Sequence, residues 1–266
     1  MQARSRPPLG GKVRIMVTLK SPRELDTMAR AGAINYATLE LCRSLVRPSI
    51  STDDLDREAE KFIRSHQGAK PSFKGLYGFP KSLCISINDE VVHGIPSPKR
   101  ILREGGIVSI DSGVFLDGFH ADSAITVPIG TVAPETLAFL ETTQRALAAG
   151  IEQARLGNHI GDIGHAVQTV AEAGGYGVIR ELVGHGVGTK MHEDPQVPNH
   201  GRPKRGERLL EGMTIAIEPM ITIGDFKTKL LADKWTVVTA DGSLAAHFEH
   251  TVAVSAAGPR ILTLPA

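Results

Sequence analysis

The apolar positions of the chain form two kinds of pattern, and the first is the repeat of an amphipathic helix. Four segments carry apolar residues at steps that place them on one helical face. The first segment begins at Ser21, where a serine cap, a following proline and Glu24 predict a helix start. The second follows SISTDD and ends near Gly68, the third follows Pro134, and the fourth begins at Asp162. The four stripes are Ala33, Ala37, Leu41 and Leu45; Leu55, Ala59, Phe62 and Ile63; Leu140, Leu147, Ile151 and Ala154; and Ile163, Val167, Val170 and Ala171.

The second pattern consists of short β-branched runs, which predict strands because Gly, Pro, Asn and Asp bound them. LCISI, GGIVSI and AITVPI lie within residues 83–130, and MTIAIEPMITI, WTVVTA and HFEHTVAVS follow the fourth helix. The order is therefore helices, strands, helices, strands, and the second helices of the two halves share the same apolar offsets. This order predicts a mixed α/β (α+β) fold in one domain, with two similar halves, sheets covered by helices and a site between the halves.

Composition narrows the possible functions. The 266 residues are 41% hydrophobic and 22% charged with a net charge of +1, which gives no electrostatic reason to expect DNA or other nucleic acid as the main partner. Two cysteines, Cys42 and Cys84, are too few for a disulfide framework. The N-terminus lacks the apolar core of a secretion signal, and no apolar run approaches the ~18 residues that cross a membrane. We therefore expect a cytoplasmic protein without membrane contact.

The beginning of the chain is basic. The first twenty residues carry five cations and no acid: Arg4, Arg6, Lys12, Arg14 and Lys20. We interpret residues 1–19 as a basic N-terminal extension and residues 20–266 as a single folded domain. A short basic terminus is usually only solvated, and a transient contact with ribosomal RNA is the functional alternative.

Two acids interrupt the strand-like run IDSGVFLDGFHADSAIT. Asp117-Gly118, flanked by alternating apolar residues, predicts a two-residue hairpin turn that would place Gly113 opposite Asp122. Asp111 lies two residues before Gly113 and faces the same side, with its Cβ roughly 7 Å from that of Asp122. Carboxylates buried unpaired at that spacing would take up protons or destabilise the fold. Three interpretations remain open: solvent-facing acids, a dyad that shares one proton, or a metal site.

Further candidate ligands stand in the second half of the sequence. His185 lies between glycines in VGHGVGTKMHEDP, and His192 follows seven residues later. Glu218 ends an apolar strand, and Glu249 begins another. Two aspartates and two glutamates match the charge of two divalent ions, which two-metal hydrolases hold about 3.5–4 Å apart. A ligand set with this many carboxylate oxygens favours Mn, Fe or Co over the zinc that thiolate sites bind.

Five blocks of sequence resemble, in order and spacing, the signature blocks of type I methionine aminopeptidases: INDEVVHGIP, IDSGVFLDGFHAD, GHGVGTKMHEDPQVPN, GMTIAIEPM and WTVVTADGSLAAHFEHT. The resemblance covers essentially Leu19 to Pro265. It implies the pita-bread fold, a pseudo-twofold curved antiparallel sheet covered by helices. It also implies a monomer that removes the N-terminal methionine from nascent polypeptides, with preference for a small second residue. Two divalent ions, of Co, Mn, Fe or Zn, would be held by Asp111, Asp122, His185, Glu218 and Glu249.

The same resemblance implies roles for residues beside the metals. Glu218 would act as general base as well as ligand, and His93 and His192 would bind and polarise the scissile peptide. Met191 stands where an aromatic residue is usual and Leu76 where a tyrosine is frequent, which predicts a more aliphatic, pliable methionine pocket. The pocket would be lined by Phe73, Leu76, Phe79, Cys84, Met191 and Trp235.

Two further expectations concern neighbouring residues. A second Asp-Gly turn, Asp241-Gly242, would pair Trp235 with Phe248 on the face opposite Glu249, although the family places this tryptophan at the site. The remaining histidines are interpreted as structural or solvent-exposed: His66, His120, His159, His165, His200, His247 and His250.

Four alternatives compete with this interpretation. Prolidases and aminopeptidases P carry a substantial extra N-terminal domain, for which the chain has little room. Type II methionine aminopeptidases carry a long insertion between the last histidine and the first glutamate of the site. In this sequence the corresponding segment, from His192 to Glu218, is short. Non-catalytic binding modules of the same fold have lost metal ligands, whereas five candidates are present. An iron oxygenase with two histidines and one carboxylate would need fewer acids.

Overall fold

The computed structural model describes residues 17–265. Within this range the four predicted helices are confirmed, and a short 3₁₀-helix is added at Leu76–Gly78. The helices are α1 (Pro22–Leu45), α2 (Thr52–Ser65), α3 (Pro134–Gln153) and α4 (Ile160–Ala173).

Two helices begin with reciprocal capping boxes. The Ser21 side chain accepts a hydrogen bond from the Glu24 N–H, and the Glu24 carboxylate accepts one from the Ser21 N–H at 2.7 Å. Ser51 and Asp54 repeat the arrangement at the start of α2. These pairs satisfy N–H groups that have no partner within the first turn of a helix, which fixes where each helix starts.

The described strands form one large sheet and two small ones. The nine-stranded sheet is antiparallel in the order β1-β4-β5-β14-β9-β7-β8, with β2 also paired to β4 and β15 to β14. The three-stranded sheets have the orders β13-β10-β6 and β11-β12-β3. The strand bounds are β1 (Lys70–Pro71), β2 (Leu83–Ile87), β3 (Glu90–Val92), β4 (Ile107–Leu116), β5 (Phe119–Pro128), β6 (Gly177–Val178), β7 (Gly184–Gly186), β8 (Glu193–Val197), β9 (Thr214–Ile217), β10 (Met220–Thr222), β11 (Thr228–Leu230), β12 (Val237–Thr239), β13 (Ala245–His247), β14 (Glu249–Ser255) and β15 (Gly258–Ile261).

Two runs predicted as single strands are broken. MTIAIEPMITI divides at Glu218 into β9 and β10, and HFEHTVAVS divides at Phe248 into β13 and β14. In both cases one piece belongs to the nine-stranded sheet and the other to the sheet β13-β10-β6. Pro219 contributes to the first break because proline has no N–H to donate to a neighbouring strand. Each of the two segments therefore passes from one sheet to another at its break.

The predicted hairpin between Trp235 and Phe248 is wrong. Strand β12 pairs with β11 and β3, whereas β13 pairs with β10. The Asp241 carboxylate accepts hydrogen bonds from the N–H groups of Asp225 and Ser243, at 2.8 and 3.0 Å. These bonds fix the Asp-Gly turn against another loop, so the strands on either side of the turn separate.

Lys20 also differs from the expectation of a solvated basic terminus. Its Nζ lies 2.7 Å from Glu193 Oε2, with both side chains buried, and its N–H donates to the Gly212 carbonyl at 2.7 Å. The four cations of the predicted extension itself, Arg4, Arg6, Lys12 and Arg14, lie outside the described residues, as does most of the extension.

Helices and sheet enclose two main apolar clusters. Helices α3 and α4 pack with strands β9 and β14 in the larger cluster, and α1 and α2 pack with β2, β4 and β5 in the other. Cys42 and Cys84 are both free and buried. Among residues 17–265, no helix has the length and apolar content that crossing a membrane requires.

Candidate metal centre and substrate cavity

The hairpin of β4 and β5 brings Asp111 and Asp122 together as predicted. Asp117 and Gly118 form the turn with φ of 48° and 92°, the left-handed values that a type I′ turn requires. Gly113 is opposite Asp122, and Asp111 is opposite Ala124, so the two carboxylates share one face.

His185 and Glu218 meet Asp122 from other strands. His185 Nε2 lies 3.7 Å from Asp122 Oδ2 and 3.6 Å from Glu218 Oε1. The His185 Nδ1–H donates to the Gly186 carbonyl at 2.9 Å, which leaves the Nε2 lone pair directed at the acids. Glu249, at the start of β14, completes a group in which ligand atoms of Asp122, His185 and Glu249 lie within 4.8 Å of one another.

Three of these acids carry oxygen atoms without a partner. Asp111 Oδ1, Asp122 Oδ1 and Glu249 Oε1 are buried and make no hydrogen bond within the described part of the chain. Buried polar groups are normally hydrogen-bonded, and buried charges are paired or coordinate metals. Converging carboxylates with unpartnered oxygens, together with an imidazole lone pair, therefore fit a site for divalent cations.

The pKa values of these acids agree with that fit. Burial raises the pKa of Asp122 well above its ordinary value, and the nearby charges of Asp111 and Glu218 raise it further. Burial likewise raises the pKa of Glu249, with Asp122 as the next cause. Burial raises the pKa of Asp111 to about 7. Deprotonating the cluster at neutral pH therefore requires positive charge at the same place.

The acids form one side of a cavity of about 310 Å³ whose remaining wall is largely apolar. Five of the six predicted pocket residues line it: Phe73, Leu76, Phe79, Cys84 and Trp235. The ring of Trp235 meets that of Phe79 edge-on with centroids 5.1 Å apart. Met191 is buried in the same apolar cluster but is not among the residues that line the cavity, so its place in the methionine pocket stays a prediction.

Comparison with known proteins decides the family. The model of metallopeptidase family M24 matches residues 26–256. The chain belongs to family M24. Among its relatives, the methionine aminopeptidase of Clostridium perfringens is 52% identical over 249 residues, which cover 94% of this chain and 99% of the relative. Methionine aminopeptidase 1 of Bacillus subtilis is 49% identical over 93% of this chain and 99% of its own length.

Solved structures give the same placement. The methionine aminopeptidase of Rickettsia prowazekii superposes with a TM-score of 0.91 at 41% identity, covering 94% of this chain and 100% of the other. The prolidase of Pyrococcus furiosus gives 0.75 at 20% identity, which shows the shared fold alone. This M24 chain is thus a methionine aminopeptidase by family and a metallo-hydrolase by class, and its curled sheet covered by four helices is the pita-bread fold.

The two histidines predicted to contact substrate both line the cavity of this M24 peptidase. Loss of surrounding water, together with the neighbouring His185 ring, lowers the pKa of His192 to about 4. Burial also lowers the pKa of His93, whose φ of 60° is strained for a residue that is not glycine. Both imidazoles are therefore neutral at pH 7, and each offers one N–H donor and one lone pair.

Sequence reasoning missed His247. Its Nε2 lies 3.5 Å from Glu218 Oε2 and 3.9 Å from Glu249 Oε2, and only 2% of its side chain is exposed. The sequence offered one signal: His247 stands two residues before Glu249 in the run HFEHTVAVS, and alternate residues of a predicted strand face the same side. The other cavity residues that were missed are Tyr77, Val92, Leu182, Val183 and Met220.

Proposed function

We propose that this M24 peptidase hydrolyses the first peptide bond of polypeptides that begin with methionine, preferentially when the second residue is small. The observation that carries the proposal is the cavity itself, which joins a cluster of acids with unpartnered oxygens to an apolar wall. The names of its close relatives support the choice of substrate.

Asp111, Asp122, His185, Glu218 and Glu249 would hold two divalent ions of Co, Mn, Fe or Zn. Bound ions of this kind make water more acidic and polarise the carbonyl to be attacked. Four carboxylates supply the negative charge that two such ions require, and the neutral imidazole adds no charge. The convergence of these side chains at distances of 3.6 to 3.7 Å around His185 supports the assignment.

Glu218 is the candidate general base. Its Oε1 faces His185 and its Oε2 faces His247, so the carboxylate lies between two rings at the edge of the cavity. Its backbone carbonyl accepts a hydrogen bond from the buried Asn199 side chain at 2.9 Å, which holds the break between β9 and β10. A carboxylate held in this way can take a proton from attacking water and return it to the leaving amine.

His93 and His192 would orient the scissile peptide, because both are neutral and line the cavity beside the acids. The methionine side chain would lie among Phe73, Phe79 and Trp235, where an unbranched thioether makes favourable contacts with aromatic rings. The buried Cys84 thiol belongs to the same wall, and burial raises its pKa, so the thiol stays protonated.

The setting of the reaction follows from the substrate. Nascent polypeptides are made in the cytoplasm, so we place the protein there, acting as a monomer through a catalytic domain of residues 20–266. The basic residues 1–19 would add a transient contact with the ribosome.

Metal reconstitution tests this function. Chelator-treated protein is loaded separately with Co, Mn, Fe or Zn and assayed on Met-Ala-Ser, on the same peptide with Leu in place of Met, and on Gly-Pro. We expect turnover only with metal, and faster turnover of Met-Ala-Ser than of the other two. Faster cleavage of Gly-Pro would favour a prolidase instead. Asp111→Asn, loaded in parallel, is the control for cleavage by free metal or contaminants.

A further inference from the structure

A surface trough leads away from the substrate cavity. It has a volume of about 660 Å³ and shares Val183, His185 and His192 with the cavity wall. The trough therefore meets the cavity at the acid cluster rather than at the aromatic end. If the methionine side chain occupies the aromatic end, the trough gives the rest of the substrate a way out past these shared residues.

The floor of the trough is strand β8, which is an edge of the nine-stranded sheet as described. Its exposed residues alternate, with Asp194 and Gln196 facing solvent and Pro195 and Val197 buried. Both exposed residues also line a second recess of about 370 Å³ that continues beyond the trough. Cavity, trough and recess thus form one continuous path.

A basic loop, residues 200–208, stands at the far end of this path. Four of its residues are exposed cations: Arg202, Lys204, Arg205 and Arg208. Within residues 17–265, none of them forms a salt bridge. Arg202 and Arg205 line the recess together with the acids Asp194 and Glu207, so the positive excess belongs to the loop as a whole.

The loop is held by its backbone rather than by its charged side chains. The Arg205 carbonyl accepts a hydrogen bond from the Gly161 N–H at 2.8 Å, and the Lys204 N–H donates to Asp162 Oδ1 at 2.9 Å. The long side chains are therefore free to contact a ligand, and shortening or neutralising them leaves the loop anchored.

We propose that this path binds the part of the substrate that follows the scissile bond, and that the basic loop favours acidic residues there. The proposal rests on the proposed function and extends it from the first two residues of the substrate to its downstream sequence. An extended peptide rises about 3.3 Å per residue, so the length of β8 corresponds to about four or five residues. The loop would then contact roughly the sixth and seventh residues of the substrate.

Paired peptides test the proposal. Met-Ala-Ser-Gly-Ser-Glu-Glu, the same peptide ending in Lys-Lys, and Met-Ala-Ser are assayed with metal-loaded protein. We expect kcat/KM for the acidic peptide to exceed that for the basic one by roughly three- to ten-fold at low salt, the size of two exposed charge contacts. The difference should arise mainly in KM and shrink at high salt, because ions screen exposed charges.

Matched variants separate the loop from net charge. Arg202→Gln with Arg205→Gln should bring the ratio of the two peptides close to one while leaving Met-Ala-Ser turnover unchanged. Arg23→Gln with Arg103→Gln removes the same charge from exposed positions elsewhere and should keep the ratio. A ratio near one in the unmodified protein, a ratio that survives in the loop variant, or a loss shared by the control variant would each overturn the proposal. Failure to cleave Met-Ala-Ser would instead overturn the proposed function.

Discussion

Asp111, Asp122 and Glu249 lie on strands that are paired on both sides. Strand β4 lies between β2 and β5, β5 between β4 and β14, and β14 between β5 and β9. A central strand cannot move away to relieve repulsion between buried carboxylates without breaking its own hydrogen bonds. The rigid backbone therefore holds these groups where only a bound cation or protons can compensate their charge.

Removing one carboxylate oxygen from the cluster should abolish catalysis without unfolding the protein. We expect Asp111→Asn or Glu218→Gln to lose nearly all turnover of Met-Ala-Ser, because each change removes a proposed metal ligand and the second also removes the proposed general base. Circular dichroism and thermal melting should show a folded chain, and elemental analysis should show less bound metal. Turnover close to that of the unmodified protein would contradict the assignment.

Metal should protect the protein most strongly above neutral pH. Asp122 and Glu249 have raised pKa values in the folded chain, so above the pKa values of the unfolded acids the metal-free folded state binds more protons than the unfolded state until these acids ionise. Stability then falls as pH rises, by up to about 1.4 kcal/mol per pH unit for each group that stays protonated. Measurement from pH 7 to 8 avoids the titration of the histidines, whose depressed pKa values act in the opposite direction at lower pH.

Thermal melting of chelator-treated protein at pH 7.0, 7.5 and 8.0 measures this effect. We expect the Tm of the unmodified protein to fall across the series and to be restored by a divalent metal. In the double variant Asp122→Asn with Glu249→Gln, we expect a smaller fall. A metal-free Tm that stays constant from pH 7 to 8 would show that the acids are not protonated in the folded chain.

Among the elements, those set by local contacts were predictable from the sequence. Ser21 with Glu24 fixed the start of α1, and Asp117-Gly118 fixed the register of the hairpin, because neighbours in sequence make these interactions. The break at Glu218 and the separation of Trp235 from Phe248 depend on partners far along the chain. The alternation of apolar and polar residues along a strand cannot show where the strand passes into another sheet. The cavity residues near Glu218 and Trp235 were therefore predicted only in part.

Helix α1 depends on a close approach that no side chain could enter. A Cβ placed on Gly32 would lie 2.0 Å from the Leu262 carbonyl oxygen, whereas one on Gly150 in α3 would lie 2.7 Å from a Val167 methyl group. Both substitutions to alanine gain about 1 kcal/mol of helix propensity. The Val167 side chain can shift to make room for a new methyl group, whereas the Leu262 backbone cannot. We therefore expect Gly32→Ala to lower the unfolding free energy by about 2 kcal/mol more than Gly150→Ala. Urea unfolding of both variants measures the difference, and equal effects would contradict it.

At the scale of the whole molecule, Lys20 connects the first described residues to the loop that carries His192. Glu193 Oε1 accepts a hydrogen bond from the Lys190 N–H at 3.1 Å, and its Oε2 binds Lys20. One buried carboxylate therefore joins the segment before α1 to the turn between β7 and β8. This connection could not be inferred from the sequence, where Lys20 resembles the end of a basic terminus.

Breaking this connection should cost more stability than breaking a surface pair. Lys20→Met leaves the Glu193 carboxylate buried without its cation, for which we expect a loss of about 3–5 kcal/mol in unfolding free energy. Arg30→Gln breaks a pair to Asp117 whose side chains are more than half exposed, and should cost at most about 1 kcal/mol. Chemical denaturation of both variants provides the comparison, and similar losses would contradict the structural role given to Lys20.

The acid cluster also has a consequence for the synthesis of the protein. Its carboxylates come from strands β4, β5 and β14 and from the break after β9, so the cluster is complete only after synthesis has passed Glu249. A growing chain that stops after the hairpin of β4 and β5 contains Asp111 and Asp122, which repel each other, but lacks the other residues of the acid cluster. Truncated products that stop before Glu249 should therefore neither bind metal at this cluster nor cleave peptides, and activity should require a chain that includes strand β14.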